Sequence, residues 1–230
     1  MRPHDWAFFT AIGAVVLTVA AILRGDVAWA LGWAALAAGA AWAARSWSRR
    51  YPGPMPHRLR WLLLLPRGNH SPRHLQRILE PRSGERILEI GPGIGVHALP
   101  VASALSQGGI LDVLDVQAPM LDDLQERARK AGIANIASKV GDATKLPYPD
   151  ATFDGAYLMT VLGEIPDEGT TLVELRRVLK SHGRLIIGEL FMDPDFISLS
   201  SLKDKARRAG FAFERKHGSP LSYLARFRPA

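Results

Sequence analysis

The sequence predicts an α/β protein: a seven-stranded, mostly parallel sheet with an antiparallel hairpin near its C-terminus, preceded by two apolar helices. Three observations predict it. From Arg86 onward, short apolar strand-like runs alternate with amphipathic helical stretches, the order that builds a parallel sheet. A glycine turn, Gly91-Pro92-Gly93-Ile94-Gly95, follows the first of these strands and leads into a helix. Ahead of them, two uncharged runs flank Arg24-Gly25-Asp26.

The totals bound the rest. At 230 residues the chain holds one large domain, or one domain and an appendage. It has no cysteine, which removes disulfides, thiolate nucleophiles and Cys-based metal sites and fits a reducing compartment. No paired-histidine, H-E-x-x-H or Ser-His-Asp pattern is present, so no metal site is expected. The net charge is +7, and its location matters more than its size. Residues 1–44 sum to zero. Residues 45–82 hold nine arginines against Glu80 alone, a net +8. The remainder is close to neutral, which argues against a nucleic-acid-binding face there.

Ala7 to Leu23 and Val27 to Ala44 carry no charge. Each would span roughly 26 Å as a helix, just under the roughly 30 Å hydrocarbon core. The pair reads as a transmembrane hairpin, residues 1–45, with a soluble helical hairpin, or one lying partly in one leaflet, as the alternatives. A lone Arg2 is a poor start for a cleaved signal peptide. Small residues at i and i+4 (Ala28 and Gly32, Ala35 and Gly39, Gly39 and Ala43) would let the helices approach closely. Arg45, Arg49, Arg50, Arg58 and Arg60 follow the second run, so the positive-inside rule places that flank, and with it the N-terminus, in the cytoplasm. Trp47 and Tyr51 suit the headgroup zone. The same arginines suit anionic lipid. Residues 46–82 form a basic interfacial linker with Pro52, Pro54 and Pro56. Within it His57–Leu65 is too short to span, and reads as an interfacial helix or a lid. Ser71 to Leu79 reads as a helix with Pro72 at its first position.

Residues 83–230 form the α/β domain. Ile87, Leu88 and Ile90 read as a buried strand and Val96 to Leu105 as a helix. Ile110–Val116, Ile136–Val140, Phe153–Leu158 and Arg184–Leu190 read as the next strands, with helices over Ala118–Ala131, Gly169–Leu179 and Leu199–Ala209. Phe211–His217 and Leu221–Arg228, split by Gly218-Ser219-Pro220, read as the closing hairpin. A strand, a glycine turn and a helix start suit an anionic or nucleotide-like ligand, because the backbone comes close and free N–H groups point outward. The spacing is G-x-G-x-G; the dinucleotide fingerprint would need glycine where Val96 stands.

Taken together the motifs resemble one family. From about Gly84 on, the chain is similar to the class I S-adenosylmethionine-dependent methyltransferases, in the branch of ubiquinone/menaquinone and small-molecule methylases. The resemblance is carried by Glu89-Ile90-Gly91-Pro92-Gly93-Ile94-Gly95, by Leu114-Asp115-Val116, by Gly141-Asp142-Ala143 with Leu146-Pro147-Tyr148-Pro149-Asp150 and Phe153-Asp154, and by Leu175 to Leu179 with Lys180, Gly183 and Arg184. It implies a Rossmann-like sheet and S-adenosylmethionine as cofactor. It further implies that Gly91, Pro92, Gly93 and Gly95 pass the methionine and ribose parts, and that Asp115, beside Val116, accepts both ribose hydroxyls. Asp142 and Ala143, after Gly141, would meet the adenine, with Met120 packed beside it. Glu89 would orient the cofactor's amino group or the glycine loop. Met159 and Thr160 open the stretch that faces cofactor and acceptor. Many relatives carry a histidine near there; this chain has Gly163 and Glu164, which leaves a carried-over acid–base role in doubt. Glu164 is the candidate catalytic side chain, as proton acceptor or magnet for a cationic acceptor, against a solvated loop carboxylate. Glu189 and Asp193 stand near the mouth, and His97 reads as an exposed helix residue.

The reading is a membrane-anchored methyltransferase, its catalytic domain on the cytoplasmic side of an inner or plasma membrane. The expected partners are the bilayer, anionic lipid and an amphipathic or lipid-like small-molecule acceptor. Two alternatives stand beside it: an NAD(P)-dependent oxidoreductase on a similar sheet, and a non-catalytic cofactor-binding membrane scaffold.

Overall fold

The computed structural model describes residues 3–65, 68–105 and 108–230. Arg2 and Arg67, counted above among the basic residues, lie outside them. The chain divides into two compact units, residues up to 53 and residues from 54 onward.

The first unit is a helical hairpin, α1 (Pro3–Leu23) and α2 (Val27–Arg50), turned at Gly25 with φ of +79°. Its packing is the reverse of a soluble pair. The buried residues are Ala14 and Ala21 on α1 and Ala30, Ala37, Ala44 and Ser48 on α2. Alanines seven apart keep one seam facing the partner helix and let two backbones come close. The bulky residues face outward instead: Val16, Ile22, Leu31 and Trp42 are 61 to 73 % exposed. The expected seam of Ala28, Gly32, Ala35, Gly39 and Ala43 is therefore corrected, since all five are exposed. A four-residue spacing drifts round the helix, whereas seven residues nearly close two turns. The Thr18 hydroxyl is satisfied within α1 by the Ala14 carbonyl at 2.8 Å. By length and composition one helix among the described residues, α2, is apolar and long enough to cross a membrane. The apolar part of α1, Phe9–Leu23, is shorter than a full span needs, so of the two expected spanning helices one has the length and composition for it. α2 also runs on past the uncharged run Val27–Ala44 through Arg45, Arg49 and Arg50.

In the second unit the short helix expected near residue 57 is a 3-10 helix, His57–Leu64, followed by α3 (Pro72–Leu79). The sheet strands are β1 (Arg86–Ile90), β2 (Ile110–Asp115), β3 (Ile136–Val140), β4 (Phe153–Met159), β5 (Leu179–Leu190), β6 (Phe211–Ser219) and β7 (Ser222–Pro229). Their order is β3-β2-β1-β4-β5-β7-β6. β1 to β5 run parallel, and β7 pairs antiparallel with both β5 and β6. The intervening helices are α4 (Ala98–Ala104), α5 (Ala118–Lys130), α6 (Glu168–Val178) and α7 (Leu199–Arg208). Leu88, Ile90, Leu158, Leu185 and Ile187 pack with α6 and α7. Ile87, Leu111, Val113, Tyr157 and Ile186 pack with α3, α4 and α5. Both faces are covered, which is why the central strands read as continuous apolar runs.

Several element ends shift by a residue or two from the sequence reading, and two of the differences have a clear physical cause. β5 starts at Leu179, not Arg184, because the polar Lys180-Ser181-His182-Gly183 stretch is extended across a bulge opposite Phe153 and Gly155. Asp154 holds Lys180 there at 2.6 Å. α4 starts at Ala98 rather than Val96, since the glycine turn continues through His97 before helical bonding begins.

Candidate functional site

Parallel pairing sets the carboxyl ends of β1 to β4 side by side, with Ile90 opposite Leu114 and Leu158, and Asp115 opposite Val140. Ligands of open parallel sheets bind at that edge. Glu89, the glycine turn, Asp115, Gly141–Ala143 and Met159–Thr160 leave from it, so the topology gathers the expected cofactor residues.

The glycine turn is closely cased. Gly91 has φ of +65° and a Cβ there would lie 2.6 Å from a Val161 methyl. Gly93 has φ of +53° and its Cβ would lie 2.7 Å from Leu63. The turn thus meets the loop after β4 on one side and the 3-10 segment on the other. Thr160, a β-branched residue, holds φ of +57°. A branched side chain in the left-handed region stores strain, and such strain collects at functional loops. Its N–H bonds to the Gly188 carbonyl at 2.8 Å, which pins that conformation to β5.

Three acids stand at the site in different states. Asp115 is buried, and its carboxylate accepts the Gln117 N–H at 2.9 Å. Burial pushes its pKa up, while N–H groups of Gln117, Gly93 and Val116 hold it down. Glu89 is buried beside the Tyr157 hydroxyl, which donates to Glu89 Oε2 at 2.7 Å. Burial pushes the Glu89 carboxyl up to about 8, and Asp115 adds to the rise. Asp142 is exposed, and its carboxylate accepts the Thr144 N–H at 2.8 Å, shaping the loop that carries buried Ala143. Val116 is exposed, and Met120 and Met159 are buried.

Glu164 sits in the short 3-10 turn Leu162–Glu164 after β4. It is half-buried, not a solvated loop carboxylate. Burial pushes its pKa well above the usual range; Asp193 and Asp195 push the same way, and the Met55 N–H pulls it back. The turn is fixed against the loop after β5, because Gly163 has the Asp195 backbone where a Cβ would go.

Residues 54–64 lie over this edge. The Met55 carbonyl accepts from Gln117 Nε2 at 2.9 Å, and Asp123 Oδ2 lies 2.8 Å from both His57 Nε2 and Arg60 Nε. Met55, Asp123, Gln117 and Tyr157 escaped the sequence reading. Tyr157 alone left a signal: a tyrosine inside a strand buried on both faces must place its hydroxyl on a partner.

One further expectation is corrected. His97 is buried, and its Nε2 lies 2.7 Å from the His70 carbonyl, so it ties the start of α3 to the turn rather than facing solvent. Glu189 is buried as well; its Oε2 accepts the Ile197 N–H at 3.1 Å beneath the loop after β5. Asp193 shapes that loop by accepting the Asp195 N–H at 3.0 Å.

Comparison with known proteins agrees with this geometry. Residues 88–187 match a family model described as a methyltransferase domain. A 27-O-demethylrifamycin SV methyltransferase of Amycolatopsis mediterranei (strain S699) is 30% identical over 137 residues, 59% of this chain and 50% of the relative. A ubiquinone/menaquinone biosynthesis C-methyltransferase UbiE of Cellvibrio japonicus (strain Ueda107) is 36% identical over 124 residues, 54% of this chain and 49% of the relative. The chain spans about half the length of the curated relatives it matches. A SAM dependent methyltransferase from Aquifex aeolicus shares the fold, with a TM-score of 0.69 at 19% identity over 76% of this chain and 98% of that one. These likenesses support a methyltransferase domain on the class I fold, the class for which S-adenosylmethionine is the expected cofactor. The residues fit it: the two acids Glu89 and Asp115 flank the glycine turn, which suits a ligand bearing hydroxyls and positive charge.

Proposed function

We propose that this is a membrane-anchored methyltransferase that moves a methyl group from S-adenosylmethionine to an amphipathic or lipid-like small-molecule acceptor by in-line displacement. The methyltransferase chemistry rests on the site at the carboxyl edge of the sheet. The anchoring rests on the inside-out hairpin, with alanines in its seam and Val16, Ile22, Leu31 and Trp42 displayed. In water that surface is costly; against lipid tails it is matched. Arg45, Arg49 and Arg50 close α2 beside Trp47 and Tyr51, whose rings lie 4.9 Å apart, a combination suited to a cytoplasmic headgroup zone. The bilayer, including its anionic lipids, is then the standing partner.

The bound cofactor supplies a methyl carbon on a sulfonium, and its passage to an acceptor lone pair breaks the carbon–sulfur bond and neutralises the sulfur. The chain's part is placement. Asp115 accepts the ribose hydroxyls, Asp142 and the Ala143 N–H meet the adenine beside Met120 and Val116, and the glycine turn takes the methionine end. Glu89 turns its carboxylate to the cofactor's amino group. Thr160 and Met159 wall the methyl, and the buried loops exclude water. Glu164 faces the acceptor. Burial and the neighbouring Asp193 and Asp195 raise its pKa, so it takes up a proton more readily than an ordinary carboxylate, as an acceptor for a reacting hydroxyl requires.

The test uses the full chain in nanodiscs, S-adenosylmethionine with a labelled methyl, and a crude membrane extract. Label in the organic phase, lost in Asp115→Ala, is the expected result. Label confined to the aqueous fraction would remove the lipid-like acceptor. Failure to bind the cofactor would remove the methyltransferase.

A further inference from the structure

The segment over the site has two faces. Its inner side touches the cofactor machinery: Leu63 covers Gly93, Met55 joins Gln117 and Glu164, and His57 and Arg60 share Asp123. Its outer side displays Trp61, Leu64 and Leu65, 53, 60 and 53 % exposed. Three adjacent bulky apolar side chains are poorly placed in water and well placed in a headgroup layer. The segment lies within the stretch 45–82 of net charge +8, and only residues 51–56 separate it from α2.

We infer that the outer face of residues 57–65 is a docking surface for an anionic bilayer, and that docking draws this segment off the cofactor site. The inference rests on the anchored-methyltransferase reading for what the segment covers. A ligand shifts a two-state equilibrium only through unequal affinity for the two states. The bilayer has it here. Leu59, Leu62 and Leu63 are half-buried as the segment lies. Once released they join Trp61, Leu64 and Leu65 in an apolar stretch broken only by Arg60, and the bilayer gains all six. The hold of the domain is light. No residue of His57–Leu64 is buried, and eight residues is long for a 3-10 helix, a form that marks hinges and strained sequences. Arginines supply the preference for anionic headgroups.

The experiment uses the full chain in nanodiscs of phosphatidylcholine, with or without phosphatidylglycerol. Two readouts are taken. One is the association rate of S-adenosylmethionine. The other is a polarity-sensitive fluorophore on Leu63→Cys, unique in a chain without cysteine, with brominated lipid as quencher. Anionic lipid should raise the association rate about tenfold and bring the fluorophore into contact with brominated lipid. The triple variant Trp61→Ser, Leu64→Ser, Leu65→Ser should lose both effects and keep the rate seen in phosphatidylcholine alone. Asp123→Asn, which weakens the inner latch, should speed association without anionic lipid. Equal rates together with an unquenched fluorophore in both discs would overturn the inference. If no cofactor binds in either disc, the methyltransferase reading fails by itself. The fluorophore then decides the docking: quenching dependent on anionic lipid upholds it, and no quenching overturns it.

Discussion

The Tyr157 hydroxyl donates to Glu89 Oε2 at 2.7 Å, with both side chains closed off from water between the sheet and the helices α3 to α5. One neutral donor is a modest match for a buried carboxylate, and burial pushes Glu89 up to about 8. Its ordinary value is 4.5, so between those two values the folded chain holds a proton that the unfolded chain has lost. Stability therefore falls as pH rises through that window. A positively charged cofactor favours the ionised form. Its affinity should climb from about pH 6 to 8, by up to about tenfold per unit, with close to one proton released. Calorimetry in buffers of different ionisation heat counts that proton. Tyr157→Phe should move the climb to higher pH; a flat affinity across the window would remove Glu89 from the cofactor's surroundings.

Asp115→Ala removes the carboxylate that accepts the Gln117 N–H and is placed for the ribose. Two hydrogen bonds to a charged group are together worth about 3 kcal/mol or more, so cofactor affinity should drop by about a hundredfold or more. The fold should be kept, with a lower melting temperature because the Gln117, Gly93 and Val116 N–H groups lose their acceptor. A variant that keeps wild-type affinity would undo the cofactor assignment.

Gly91→Ala places a Cβ 2.6 Å from a Val161 methyl at φ of +65°. Backbone strain of about 1–2 kcal/mol and overpacking of about 1–3 kcal/mol should add. Val161→Ala in the same chain should recover the overpacking and leave the strain. Denaturant midpoints of the two singles and the double close that cycle. Strictly additive losses would mean that the turn and the loop after β4 do not meet.

In the hairpin, Ala37→Leu should part the helices, whereas Ala38→Leu, on the exposed side, should not. Thermal unfolding of the nanodisc-embedded chain, followed by cross-linking between α1 and α2, separates the two. Equal tolerance at both positions would contradict the alanine seam.

The parts written in local sequence were readable. The glycine turn, the strand ends at Ile90 and Asp115 and the amphipathic α5 follow from residue type and spacing over a few positions. What escaped depends on partners far along the chain. The burial of His97 needs the His70 carbonyl, and Glu164 becomes a strained acid only when Asp193, Asp195 and Met55 are brought to it. The hairpin seam was missed for another reason: in an alanine-rich helix every face offers small residues, so composition cannot say which face turns inward. The polar run Lys180–Gly183 reads as a turn because its extension depends on Asp154 in the neighbouring strand.

β7 lies inside the sheet, between β5 and β6, and its Tyr223, Leu224, Ala225 and Phe227 are wholly buried. A strand from residues 222–229 thus completes a core that begins at α3. During synthesis at about 5–20 residues per second, roughly 10–30 s pass between the emergence of α2 and that of β7. For an anchored chain the order has a use. On the proposed anchoring the hairpin would reach the bilayer first, and the half-made sheet would wait for its closing strand tethered and dilute, where open edges on neighbouring nascent chains rarely meet.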